Sequence, residues 1–166
     1  MSDHPINVLF LCTHNSARSI LAEATLNHIG KGRLKAYSAG SSPRENQQPH
    51  PLALQVLQNA GISTEGLHSK TWDEFGHPDA PHMDLVITVC DNAAGEVCPF
   101  WPGQPATAHW AYADPSEGNG DNAQKLEAFR LTLHAMRRRL DLLVNLPPSG
   151  VGKLMLQTSA RDLAQS

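Results

Sequence analysis

The 166-residue chain is long enough to bury one substantial hydrophobic core. Apolar residues make up 40% and charged residues 17%, a balance that excludes an intrinsically disordered protein. A formal net charge of -3 lacks the basic excess of a nucleic-acid-binding protein, so an anionic ligand needs a local pocket.

The longest apolar runs, Val8 to Cys12 and Leu85 to Cys90, fall far short of the ~20 residues that span a bilayer. The start of the chain has neither the basic residues nor the cleavage site of a secretion signal. The expected compartment is therefore the cytoplasm, where cysteines tend to be catalytic or metal-bound rather than structural. Cys12, Cys90 and Cys98 cannot all pair at once, and that odd count hints at exchange chemistry.

In chain order, Ile6 to Leu11 reads as a buried strand and runs into the polar stretch Thr13-His14-Asn15-Ser16. A helix opens near Arg18, continues through Leu21, Ala22, Thr25, Leu26 and Ile29, and meets stop signals at Gly30 and Gly32. Leu34 to Ser38 is a second strand, and the polar segment 41–49 a loop. Pro51 suits the first turn of a helix carrying Leu52, Val56, Leu57 and Ala60, with Gly61 beyond its end. A short piece spans Trp72 to Phe75, Leu85 to Val89 is the clearest strand, and Ala106 to Trp110 is a weaker fourth.

The last long helix runs from about Asn122 to Val144. Its residues Leu126, Phe129, Leu133, Met136, Leu140 and Leu143 form one apolar face, and Arg137, Arg138 and Arg139 read as its solvated side. Strands alternating with helices imply a parallel sheet with right-handed crossovers. The domain is expected to fill residues 1–145, leaving 146–166 as a tail with at most a short helix and no assigned role.

The chemistry concentrates in Cys12-Thr13-His14-Asn15-Ser16-Ala17-Arg18-Ser19, a cysteine, five residues and an arginine between a strand and a helix start. Backbone amides in such a turn converge on an anion, and the helix N-terminus adds its positive dipole end. Arg18 supplies a planar charged fork for two oxygens of a tetrahedral oxyanion. The same field favours a thiolate at Cys12, with Ser19 positioned to donate to the sulfur and the Asn15 amide to brace the loop. The competing reading, inert packing of a cysteine at a strand end, offers no reason for the strand–loop–helix context.

Residues Val8 to Ser19, with Ala22-Glu23 and Tyr37-Ser38-Ala39-Gly40, resemble the phosphate loop and its surroundings in the low-molecular-weight tyrosine phosphatase family. The resemblance runs from about Ile6 to Val144. It implies a flavodoxin-like, three-layer α/β/α fold with four parallel strands in the order 2-1-3-4.

That family contains phosphatases and arsenate reductases, and a reductase needs further thiols to deliver two electrons. Val89-Cys90-Asp91-Asn92-Ala93-Ala94-Gly95-Glu96-Val97-Cys98-Pro99, Pro102-Gly103, His109-Trp110 and Asp114-Pro115 resemble the arsenate reductases specifically. Asp114-Pro115 is followed by Ser116-Glu117, where the phosphatases typically carry two tyrosines. The resemblance implies a relay: Cys12 attacks arsenic, Asp114 acts as general acid, Cys90 resolves the adduct, and Cys98 takes up the oxidation. It also implies no tightly bound cofactor and an external thiol donor, thioredoxin or glutathione with glutaredoxin. Arsenate is the implied substrate, phosphate and sulfate the competing oxyanions, and the chain a monomer with neither nucleic acid nor membrane as partner.

The Cys90–Cys98 gap is one residue longer than in the best-known thioredoxin-coupled members of the family it resembles. Asn15, Glu23, Ser38 and Ser69 match the ligands of a potassium ion found in some members, but Thr71 replaces an expected carboxylate, and no ion is expected. Two rivals remain: a tyrosine-type phosphatase, and a non-enzymatic module stapled by zinc through Cys90, Cys98 and His82 or His109. The second lacks the compact cysteine spacing of structural zinc sites.

Overall fold

In the computed structural model, the described residues are 6–30, 32–43, 45–90, 106–117, 120–145, 160, 161 and 164. Strand β1 (Ile6–Cys12) leads through a tight loop into helix α1 (Arg18–Ile29), followed by β2 (Leu34–Gly40) and α2 (Pro51–Asn59). After a one-turn 3-10 helix at Trp72–Phe75 come β3 (Leu85–Thr88) and β4 (Ala106–His109). A second 3-10 turn at Pro115–Glu117 precedes the long helix α3 (Asn122–Val144). All strands are parallel and lie in the order β2-β1-β3-β4, the expected topology.

The two central strands are apolar on both faces, as a covered parallel sheet requires. Val8, Phe10 and Cys12 of β1 join Leu85 and Ile87 of β3 in the larger core. That core takes in Leu21 and Leu26 of α1, Val56 and Leu57 of α2, and Phe129, Met136 and Leu140 of α3. Each such large apolar side chain contributes about 1.5–3 kcal/mol on burial. Leu9, Leu11 and Val86 point the other way, into a smaller cluster with Met83 that Trp72 and Phe75 cover.

Local chemistry fixes the helix starts. Asp121 accepts the Gln124 amide at 2.9 Å while the Gln124 side chain accepts the Asp121 N–H at 3.0 Å, a reciprocal box opening α3. Pro51 occupies the first turn of α2, and the His50 ring nitrogen accepts the Leu52 N–H at 3.1 Å. The His50 N–H in turn donates to the Ser16 carbonyl at 2.8 Å, tying α2 to the loop after β1. Burial holds the His50 pKa below its ordinary 6.5, so the ring stays neutral and able to accept.

The three consecutive arginines of α3, 137–139, do not share one environment. Arg139 lies with its guanidinium 5.0 Å from the Tyr112 ring centre and donates to the Ala164 carbonyl at 3.2 Å. This corrects the solvated reading of that residue: its neighbours are supplied by segments far away in sequence. None of the helices among the described residues is long and apolar enough to cross a membrane.

Candidate active site

The loop following β1 lies at the carboxyl ends of the strands, where parallel sheets place ligands. Its path is set by β2. The Ser41 N–H donates to the Cys12 carbonyl at 3.1 Å and the Ser42 N–H to the Thr13 carbonyl at 2.8 Å. Gly40 makes this approach possible, because a β-carbon there would stand 2.7 Å from the Thr13 oxygen and 2.9 Å from the His14 carbonyl carbon. Both obstacles are backbone, so the loop itself would have to move. Gly40→Ala is expected to cost about 1–3 kcal/mol in thermal unfolding. It should also weaken phosphate protection of Cys12 against iodoacetamide by about tenfold or more, since misplacing a binding loop is expensive. An alanine variant as stable and as well protected as wild type would contradict the close approach.

Asn15 is the hub of the loop. It is fully buried and adopts φ 57°, a left-handed conformation that asparagine tolerates better than most residues. Its side-chain amide donates to the Ser19 hydroxyl at 2.8 Å and to the Ser38 hydroxyl at 2.9 Å, while its side-chain oxygen accepts the Lys70 N–H at 2.9 Å. The Ser69 hydroxyl donates to its backbone carbonyl at 2.6 Å.

Those bonds settle which way the hydroxyl hydrogens point. With both amide hydrogens of Asn15 spent on the two serines, the serine hydrogens are left for their other neighbours. Ser38 donates to the Glu23 carboxylate at 2.5 Å, and Ser19 donates to the Cys12 sulfur at 2.9 Å. The sulfur also receives the Asn15 N–H at 3.1 Å. Two hydrogens aimed at one buried sulfur form a pattern that suits an anion.

Among the other loop residues, Thr13, His14 and Ser16 are half-buried, and Ala17 precedes the first turn of α1 with no side chain capping that end. A helix start of this kind, with its positive dipole end, favours an anion. Arg18 is 6% exposed and donates to the Tyr112 carbonyl at 2.9 Å, which aims its guanidinium. Its other terminal nitrogen stands 3.8 Å from one oxygen of Asp114. The remaining Asp114 oxygen accepts the Ser116 N–H at 2.9 Å and hydroxyl at 2.7 Å. Arg18 and Asp114, 96 positions apart, thus meet beside the Cys12 loop.

Behind the loop lies a pair that the sequence analysis did not assign. The Lys70 ammonium donates to the Ser38 carbonyl at 3.0 Å and the His68 carbonyl at 2.8 Å, and lies 3.9 Å from the Glu23 carboxylate. Burial pushes the Glu23 pKa up, with Lys70 and the Ser38 bond pulling back, and it pushes the Lys70 pKa down against the opposing pull of Glu23. Oxygens of Ser38 and Glu23, two of the residues matching potassium ligands, face this ammonium. The tethered cation fills the role, and an alkali ion beside it would meet a like charge, so the donor set does not fit potassium.

Cys12 carries a free thiol, whereas Cys90 is disulfide-bonded. The Leu11–Thr88 register puts Cys12 at the end of β1 and Cys90 two residues past the same end of adjacent β3, and Val89 donates to the Leu11 carbonyl at 2.9 Å. Cys98 lies outside the described residues. The sulfur of Cys90 is engaged in a disulfide, which withholds one of the ligands named in the zinc reading, and the His109 Nδ1 bonds the Thr88 hydroxyl at 2.6 Å.

The chain is similar to several known proteins. A family model described as low molecular weight phosphotyrosine protein phosphatase matches residues 7–148. The arsenate reductase of Bacillus licheniformis is 36% identical over 125 residues, 74% of this chain and 84% of that protein. The glutaredoxin arsenate reductase of Synechocystis is 29% identical over 137 residues, 82% of this chain and 95% of that protein. The crystal structure of an arsenate reductase from Archaeoglobus fulgidus superposes with a TM-score of 0.67 at 28% identity, covering 84% of this chain and 99% of that one. With this family match over most of the chain and these relatives, the chain belongs to the low molecular weight phosphotyrosine protein phosphatase family, in the group formed by its arsenate reductases.

Proposed function

We propose that this chain reduces arsenate to arsenite through Cys12 and an intramolecular disulfide relay, serving arsenic detoxification in the cytoplasm. The observation that carries the reading is the division of thiols: Cys12 is free in the anion loop while Cys90, two residues past the end of the neighbouring strand, is already oxidised. The names of the relatives support the same substrate.

Arsenate binds with its oxygens on the loop amides of residues 13–19 and on Arg18. The Cys12 thiolate attacks arsenic, one As–O bond breaks, and the departing hydroxide takes a proton from Asp114 to leave as water. The Cys90 thiolate then attacks the Cys12 sulfur. The S–As electron pair stays on arsenic, which leaves as arsenite, and a Cys12–Cys90 disulfide forms. Cys98 attacks Cys90 and releases Cys12 as thiolate, moving the oxidation to Cys90–Cys98. A free Cys12 beside an oxidised Cys90 is the combination this last step would leave. The external donor is thioredoxin or glutathione with glutaredoxin; one relative is named a glutaredoxin arsenate reductase and one solved structure a thioredoxin-dependent arsenate reductase.

The test is NADPH consumption dependent on arsenate, run with each donor system on wild type and Cys98→Ser. Turnover with a thiol donor, lost in Cys98→Ser, is the expected result. Turnover in wild type that Cys98→Ser leaves intact would remove the third thiol from the relay. Hydrolysis of aryl phosphates without arsenate turnover would make the chain a phosphatase instead.

A further inference from the structure

The family match ends at residue 148, yet residues beyond it make specific contacts with the domain. Ala160 is fully buried in the larger core, and its carbonyl accepts the Trp110 indole N–H at 2.8 Å. Arg161 donates to the Thr107 carbonyl at 3.0 Å and approaches its hydroxyl at 3.3 Å. The Ala164 carbonyl takes the Arg139 guanidinium, the same group that lies over the Tyr112 ring.

These ties share a target. Thr107 lies in β4, an edge strand, and Trp110 and Tyr112 lie on the stretch leading from β4 to Asp114. That stretch supplies the carbonyl that aims Arg18, and it ends in the carboxylate that faces Arg18. Trp110 is 1% exposed and packs 6.5 Å from Phe10 of β1, so its ring is fixed from both sides. A buried indole N–H left without an acceptor is costly, which makes the Ala160 carbonyl a true constraint on the Trp110 position.

We propose that Ala160, Arg161 and Ala164 form a strap that positions the Trp110–Asp114 loop, and through it Arg18, for oxyanion binding. Trp110, Arg139 and Ala160 are then positioning residues: they touch no substrate, but they set where the Tyr112 carbonyl and the Asp114 carboxylate stand. The inference rests on the reading that the Cys12 loop and Arg18 hold an oxyanion. It goes beyond that reading in giving the segment after α3 a part in the site.

The experiment measures how much inorganic phosphate or arsenate half-protects Cys12 from iodoacetamide in the oxidised chain, following the Cys12 peptide by mass. Two variants are compared with wild type: a chain ending at residue 159, and full-length Trp110→Phe, which keeps an aromatic ring and loses the indole donor together with part of the ring volume. Circular dichroism confirms that each is folded. The strap predicts at least fivefold weaker protection in both, with the alkylation rate in the absence of oxyanion within twofold of wild type. Loss of packing alone would lower the melting temperature without moving the protection constant. If the shortened chain does not fold, Trp110→Phe decides by the same threshold. Protection within twofold of wild type in the folded variants overturns the strap. A wild type that neither oxyanion protects overturns the loop reading and the strap together, while a protected wild type without arsenate turnover removes only the proposed activity.

Discussion

Cys90→Ser is expected to keep its oxyanion affinity and its fold, yet to lose at least about a thousandfold in sustained arsenate turnover. Converting arsenic from the pentavalent to the trivalent state takes two electrons, and one thiolate supplies them only if a second sulfur attacks the first. The sheet places residue 90 to do this, one strand over from Cys12 and at the same end. A serine oxygen at that position cannot displace the adduct sulfur at neutral pH. The variant should therefore still react once at Cys12 and then stall. Coupled NADPH oxidation gives the turnover, and phosphate protection of Cys12 shows that the loop is intact. Turnover within tenfold of wild type would mean that an external thiol resolves the adduct directly, and the intramolecular relay would be wrong.

What the sequence revealed about this site follows how local the interactions are. The β1–loop–α1 unit is contiguous, and its apolar run, anion-binding residues and helix start were all legible within Ile6 to Ile29. Helix α3 was equally plain, because one face of buried residues repeats along it from Phe129 to Leu143. Lys70 was invisible for the opposite reason. It sits in a polar segment without periodicity, and only the bridge between Gly40 and Thr71 brings it beside β2 and under the loop. Arg139 was misread because two solvent-compatible arginines precede it, while its contacts come from Tyr112 and Ala164. The one available signal was position: Arg139 lies three residues after buried Met136 and next to buried Leu140.

Lys70→Met is expected to destabilise the chain by about 3–5 kcal/mol, because it leaves a buried carboxylate without its cation. For a chain of this length that corresponds to a melting temperature lower by about 6–20 °C. Side-chain exposures of 7% for Lys70 and 15% for Glu23 leave little water to compensate. The loss should depend on pH in a definite direction. Burial already raises the Glu23 pKa above its ordinary 4.5, and Lys70 is the main group pulling it back. Without Lys70 the folded state holds a proton on Glu23 that the unfolded chain releases, so stability falls as pH rises from the unfolded value through the raised folded one. The deficit relative to wild type should be smaller at pH 5 than at pH 8. Removing the second charge gives an independent check: Lys70→Met with Glu23→Gln should recover most of the loss, since the double variant buries no uncompensated charge. Additive losses in the double variant would show that the two groups do not interact across the 3.9 Å that separates them. They would then be solvated separately, and Lys70 could not be the tethered cation behind the Cys12 loop.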